Sequence, residues 1–279
     1  MTTTLKLWFS TIANTLANPG ALLVFAVIYA LLLVASYIFI WIREATVSQV
    51  LVTYALMILI PIAFFALQAA IIDRTLDQKF RWRIILIDTL KFLAVTIPVL
   101  LLVLFLYYFL NKLAARYPAP VVVAAAPTPA AHPTTPTPPV TPPLYWPSLI
   151  FSTLRFALLG VALPLAAIHL WIAVAGGEFR GLFKRMGSGL ARAFSSDSVL
   201  MYGLGLIIFV VLPYIMLVPV FNLSGNKTEF AVFSLRLLLA FLFSLVGWVS
   251  TLTALTRSVP AVPVEVPEAN VVIPTESPA

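Results

Sequence analysis

The chain contains no cysteine. Disulfides, thiolate metal sites and cysteine nucleophiles are therefore excluded. Charge is scarce as well. Only 10% of the 279 residues are Asp, Glu, Lys or Arg, against about 25% in a soluble domain. Histidine occurs twice, at His132 and His169. The two are distant in sequence and have no carboxylate in the apolar runs to work with, so they suggest neither a metal site nor an acid–base pair. Gly176-Gly177 and Gly187-Ser188-Gly189 follow no strand-like segment, which argues against a nucleotide loop. These gaps point away from an enzyme and away from any cofactor.

What is abundant is apolar: 62% of the chain, where a soluble domain carries about 45–50%. The excess is gathered into six runs, each close to the roughly 20 residues needed to cross a bilayer core of about 30 Å. The expected fold is an all-α integral membrane protein of six transmembrane helices with short amphipathic surface helices. The segment 117–147 divides the helices three and three. It holds half of the chain's 22 prolines and no charged residue. Proline lacks the N–H and fixes φ, so this stretch cannot be helical; a polyproline II loop outside the membrane is expected.

The order along the chain follows. Residues 1–19 form an amphipathic segment, with Leu5, Trp8, Phe9, Ile12 and Leu16 at helical spacing. The expectation is a helix lying on the membrane. Residues 20–116 hold the first three spans, at 20–42, 50–72 and from about Ile84 to Leu110. Asp88 and Lys91 would then pair at i,i+3 in the early turns of the third. Residues 148–255 hold the last three, at about 149–175, 199–221 and 230–255. Residues 256–279 alternate valine and proline and read as a disordered tail. No cleavable signal is expected, because the first apolar run is too long for one.

Orientation comes from lysine and arginine, which concentrate in cytoplasmic loops. With the N-terminus inside, eleven of the seventeen fall on the inner side and four on the outer. Both termini are therefore expected in the cytoplasm and the proline-rich loop outside, in a plasma membrane of bacterial inner-membrane type. Trp and Tyr favour the two interfaces. Trp41, Trp146, Tyr107 and Tyr108 fall at expected outer ends, and Trp82 and Trp171 at inner ends, with Trp8 on the surface helix.

Three features could carry function. Residues 179–194 place Phe179, Leu182, Phe183, Met186, Leu190 and Phe194 on one helical side, with Arg180, Lys184, Arg185 and Arg192 on the other. Such a helix lies flat on an anionic leaflet. Prolines inside the middle four spans free carbonyls four residues earlier, such as Met57 and Ala94, and freed carbonyls can line a cavity or mark a hinge. Arg155 and Arg236 stand inside apolar runs, each about 9 Å past its helix start at 1.5 Å per residue. Intramembrane charges often mark function. The two could face each other across an anion or lipid-phosphate pocket, or snorkel outward. His169 reads as a helix-packing residue.

The functional expectation is a non-enzymatic membrane protein that binds or organises lipid, anionic lipid included, or a membrane-protein partner or second copy of itself. A small transporter or permease component is the alternative, with Gln68 and the freed proline carbonyls as its mid-membrane polar groups. The net charge of +7 is expected to serve anionic headgroups and not nucleic acid.

Overall fold

The computed structural model describes residues 2–43, 45–77, 80–118, 145–175, 182–218 and 226–259; of residues 2, 182–186 and 226 the backbone alone is described. The proline-rich segment, except its first and last residues, and the C-terminal tail lie outside the described residues. Among the described residues there is no strand. The elements are α1 (Thr2–Leu16), α2 (Pro19–Trp41), α3 (Val47–Asp77), α4 (Trp82–Ala114), α5 (Trp146–Val174), α6 (Leu182–Ala193), α7 (Ser196–Leu217) and α8 (Asn226–Ser258). Six of these, α2, α3, α4, α5, α7 and α8, are long and apolar enough to cross a membrane.

Several helices outrun the apolar stretches. Helix α3 has 31 residues and α4 has 33, so at 1.5 Å per residue each spans about 45–50 Å. Their polar first and last turns extend beyond the apolar windows, which is why helix boundaries read from hydropathy fall short. The starts follow local chemistry. Pro19 opens α2 at the first turn, where its missing N–H costs nothing. Ser195 caps α7 by accepting from the Ser198 N–H, the usual service of a serine at that position.

Two helices carry π-turns, and both lie just before a Leu-Pro pair. In α5 the π-turn is Ala157–Ala162 ahead of Pro164; in α7 it is Ile207–Val211 ahead of Pro213. A helical proline offers no N–H and its ring pushes on the carbonyl four residues back. Those carbonyls belong to Gly160 and Phe209. Each is taken up by a hydroxyl from a neighbouring helix. Tyr202 Oη donates to the Gly160 carbonyl at 2.8 Å, and Ser244 Oγ donates to the Phe209 carbonyl at 3.2 Å. Helices α3 and α4, by contrast, run through Pro61 and Pro98 without a π-turn.

Burial is concentrated at one end of the bundle. Most of the buried positions are in the second half of α3 (Phe65 to Asp73), the first half of α4 (Ile85 to Val95), the second half of α5 (Leu165 to Val174), the start of α7 (Ser198 to Gly205) and the second half of α8 (Leu245 to Thr256). Because successive long helices run antiparallel, all of these fall at the end where α2 begins and α8 finishes. We call it the termini end. Helix α1 crosses it: Trp8 and Thr11 are buried, and Thr4 Oγ1 donates to Asp197 Oδ1 at 2.8 Å. Phe9 and Leu16 remain exposed on its other side.

The contacts that tighten this end are directional or close. Trp171 Nε1 donates to Thr96 Oγ1 at 2.8 Å, while the indole stacks on Phe92. His169 hydrogen-bonds the Leu165 carbonyl and Ser198 Oγ, both at 3.0 Å, which fits the packing role expected of it. Helices α7 and α8 touch through glycine. A Cβ on Gly205 would stand 1.9 Å from Thr251 Oγ1, and one on Gly247 would stand 2.9 Å from the Phe209 backbone nitrogen. Small residues at such contacts let helices in an apolar medium approach closely enough to gain packing energy.

Two expectations about tryptophan change here. Trp8 and Trp171 are core residues, 3% and 4% exposed, not interfacial anchors. For Trp171 the reason is the Thr96 hydroxyl, which accepts the indole N–H and lets the ring be buried whole. Trp41, Trp82 and Trp146 are exposed near helix ends. The expected Asp88–Lys91 pair is present, with Nζ to Oδ1 at 2.8 Å.

Candidate functional site

The opposite end of the bundle, where α4 stops and α5 starts, has fewer buried positions and is apolar on its outside. Between α2, α7 and α8 it leaves a lateral groove of about 660 Å³, with Tyr29, Tyr37, Pro213, Leu217, Leu237, Phe241 and Ser244 among its lining residues. Tyr29 stacks on Phe241 with ring centroids 5.4 Å apart. Deeper in, a cavity of about 200 Å³ shares Tyr29 and Ser244 with the groove and adds Phe64, Leu67, Gln68, Phe209 and Trp248. The groove and the recess thus adjoin at Tyr29 and Ser244, and the recess adds the amide of Gln68 and the indole of Trp248.

Gln68 gives that recess its chemistry. It is fully buried, and Trp248 Nε1 donates to its Oε1 at 2.7 Å. Indole is a donor only, so this bond fixes which way the amide faces. The amide nitrogen must then point away from Trp248. It is buried and has no hydrogen-bond partner among the described residues. Leaving a buried donor unsatisfied costs about 1–3 kcal/mol, so an acceptor brought within reach of this nitrogen by a small shift of its neighbours would be favoured. Gln68 lies nine residues before the end of α3 and Trp248 ten before the end of α8. At 1.5 Å per residue both are about 15 Å in from the termini end. In the sequence Gln68 stands out only as a polar residue in an apolar run. Its pairing with Trp248, 180 positions away, has no local signal.

Arg236, singled out from the sequence, stands near the mouth of the groove. Its Nε donates to the carbonyl of Met216 at 2.5 Å. Met216 is in the last turn of α7, where carbonyls lack helical partners and a cation is favoured by the helix dipole. Arg155 sits elsewhere, on the first part of α5, which packs against α4; Phe151, one turn earlier, meets Tyr117 just past the end of α4. The Arg155 Nε is buried without a hydrogen-bond partner among the described residues. The two arginines thus serve different helix neighbours.

Of the basic face expected over 179–194, helix α6 covers Leu182–Ala193. Arg180 lies outside the described residues, as do the side chains of Lys184 and Arg185. Arg192 is exposed and lines a pocket of about 440 Å³ with Thr4, His169, Asp197 and Ser198. Helix α6 packs on the second half of α5, with Ala193 buried. Gly187-Ser188-Gly189 is part of this helix and not a loop; a Cβ at Gly189 would meet the His169 carbonyl at 3.4 Å.

The termini end also carries the ionic contacts. Arg81, between α3 and α4, bonds Asp73 Oδ1 at 2.6 Å and pairs with Asp77. The hydrogen bond to Asp73, with the nearby carboxylates, pushes the Arg81 pKa further up. Among the described residues no group of three His, Cys, Asp or Glu converges as metal ligands do. No protein-family model matches the chain, and no curated protein or solved structure was found similar to it.

Proposed function

We propose that the chain is a multi-pass membrane protein that binds an amphipathic lipid from the side, without catalysing a reaction on it. Its six long apolar helices are compatible with a multi-pass membrane protein. The observation that carries the lipid reading is the fixed, unpartnered amide nitrogen of Gln68, a lining residue of the recess that adjoins the apolar groove at Tyr29 and Ser244. The ligand is a molecule with a long apolar body and an oxygen acceptor, a carbonyl or hydroxyl, at one end. The body lies along Leu237, Phe241 and Pro213, and the acceptor reaches Gln68. Pockets of this kind, mostly apolar with a few placed polar groups, are the usual form of small-ligand sites. The Lys/Arg bias supports placing the termini end in the cytoplasm.

Native mass spectrometry of the protein released from mild detergent tests this. Wild type is expected to retain a discrete lipid species, and Gln68→Leu to lose most of it while remaining folded. Retention of the same species by Gln68→Leu contradicts the assignment. If the amide is served by trapped water alone, no discrete lipid is retained by either protein.

The transporter reading draws on the same recess, whose Gln68 lies about 6 Å inside the end of the α3 apolar run at 1.5 Å per residue, and on the broken turns of α5 and α7. It requires water to reach the recess from both sides. A cysteine placed at Ser244 that reacts with a membrane-impermeant thiol reagent from each side in turn would favour it; no reaction from either side favours lateral lipid binding.

A further inference from the structure

From Thr89 to Gly177 the chain has no Asp or Glu. This stretch holds most of α4, the segment after it and all of α5. Its far end nevertheless carries three cations: Lys112 in the last turn of α4, Arg116 just past that helix, and Arg155 on α5. The ring contact between Tyr117 and Phe151, with centroids 6.1 Å apart, sets the level of one helix against the other. Arg155 is one turn beyond Phe151 into the bundle, and Leu113 is one turn back from Tyr117. The antiparallel α4 and α5 therefore bring Lys112, Arg116 and Arg155 within about one turn of a common level. Lys112 and Arg116 are exposed, and Arg155 is partly buried inside the apolar run of α5. The Arg155 Nε is buried without a hydrogen-bond partner, and no ion pair reaches any of the three among the described residues. Lys112 Nζ lies over the Tyr108 ring, 5.8 Å from its centroid, a contact that does not neutralise it.

We infer that this junction holds the headgroup of an anionic phospholipid from the leaflet at the far end, bound by Arg155 with Lys112 and Arg116 beside it. A guanidinium keeps its charge at any physiological pH. A charge within an apolar span is costly unless an opposite charge meets it. The segment that joins α4 to α5 has no carboxylate to supply, so the hairpin does not neutralise Arg155 itself. Among the described residues the far end has one carboxylate, Glu229, exposed in the first turn of α8. The counter-ion that a membrane offers at this level is a lipid phosphate. Side chains on a helix lean toward its N-terminus, and α5 starts at the far end. The Arg155 stem therefore stays in the apolar layer while its head is directed toward the headgroups. The planar fork can give two parallel hydrogen bonds to phosphate oxygens. Lys112 and Arg116 add a positive field that prefers a net negative headgroup, such as phosphatidylglycerol, to a zwitterionic one. Ile150 and Leu154, exposed on α5 beside Arg155, offer the acyl chains an apolar surface. This site is independent of the groove between α2, α7 and α8.

Full-length protein with benzoylphenylalanine in place of Leu154 tests this in bilayer discs made of equal amounts of phosphatidylglycerol and phosphatidylcholine. The cross-linked lipid is identified by mass. The parent protein is expected to capture phosphatidylglycerol about fivefold over phosphatidylcholine, the factor that one basic residue supplies near anionic headgroups. Arg155→Gln should return capture to the even ratio of the disc. Arg155→Lys should fall between, since it keeps the charge and loses the fork. Arg116→Gln changes an exposed residue, where folding is not at stake, and should lower the preference partway. Lys227→Gln removes a cation from the same end, on α8, and should behave as the parent. The result at Leu154 stands whether or not a lipid is captured in the groove, so failure of one site is distinct from failure of the other. If inorganic phosphate added at constant ionic strength removes the preference, the junction takes a soluble anion and the lipid assignment falls. Even capture by the parent protein overturns it, as does an equal preference in the parent and Arg155→Gln.

Discussion

Phe92 and Phe105 belong to one helix and differ in everything but chemistry. Phe92, toward the termini end of α4, is fully buried against the indole of Trp171. Phe105, three and a half turns on, is 65% exposed. The same contrast separates the two ends of the whole bundle. Hydrophobicity does not account for it, because both ends are apolar. In a lipid medium an apolar face gains nothing by leaving the solvent. Helices draw together where small residues permit close approach and where hydroxyls, amides and indoles find partners. The termini end has these: Gly205 against Thr251, Trp171 with Thr96, His169 with Ser198, Gln68 with Trp248. The far end has few, and it is there that the groove opens.

The sharpest way to break this comparison is to delete each phenylalanine in turn. Phe92→Ala should destabilise the protein by about 3–5 kcal/mol, as for other buried phenylalanines. Phe105→Ala should stay within about 0.5 kcal/mol, as for exposed positions. Denaturation of the reconstituted protein by a mixed-detergent titration gives both values. Comparable losses at the two positions would mean that the far end is packed by something besides lipid.

A smaller effect is expected at two neighbouring glycines. Gly205→Ala drives a methyl into Thr251 and should cost about 1–3 kcal/mol, in line with overpacking elsewhere. A Cβ on Gly203 would meet no atom within 4 Å, so Gly203→Ala should be neutral or slightly stabilising through the better helix propensity of alanine. Thermal unfolding of the two variants side by side reads the difference. Equal melting temperatures would show that α7 and α8 can separate at little cost.

The smallest effect concerns the proline turns that join the two ends. Tyr202→Phe leaves the Gly160 carbonyl without its hydroxyl and should cost about 1 kcal/mol. In a Pro164→Ala background the helix can reclaim that carbonyl, so the same change should cost less. The non-additivity of the double-mutant cycle is the measurement. Strict additivity would mean that Tyr202 does not compensate for Pro164.

The six long helices were legible in the sequence because twenty-residue apolar runs have few alternative fates. The Asp88–Lys91 pair was legible too, since it depends on a spacing within one helix. Helix ends such as Asn226 and Asp77 were not, because polar turns continue a helix past its apolar stretch without changing the hydropathy pattern. Nor was the identity of the buried face. Trp171 reads as an interfacial residue until Thr96, 75 positions earlier, is seen to take its N–H. Gln68 was visible as an oddity, yet its role rests on Trp248. Side-chain partnerships between distant helices are set by packing, which a single sequence does not record. Arg236 illustrates the same limit: its partner is the end of α7, an element whose last turn could be placed only in the folded bundle.

The central claim is that the far end is open in order to hold a particular lipid by way of Gln68. The most direct measurement places a photoreactive benzoylphenylalanine at Leu237, in the groove, or at Phe105, on the outer face of α4, in protein within native membranes. Cross-linked lipids from each position are then identified. The account predicts one enriched, oxygen-terminated lipid species at Leu237, lost when Gln68→Leu is added, and bulk membrane lipid at Phe105 in both backgrounds. The same lipid mixture at both positions, unchanged by Gln68→Leu, would contradict it.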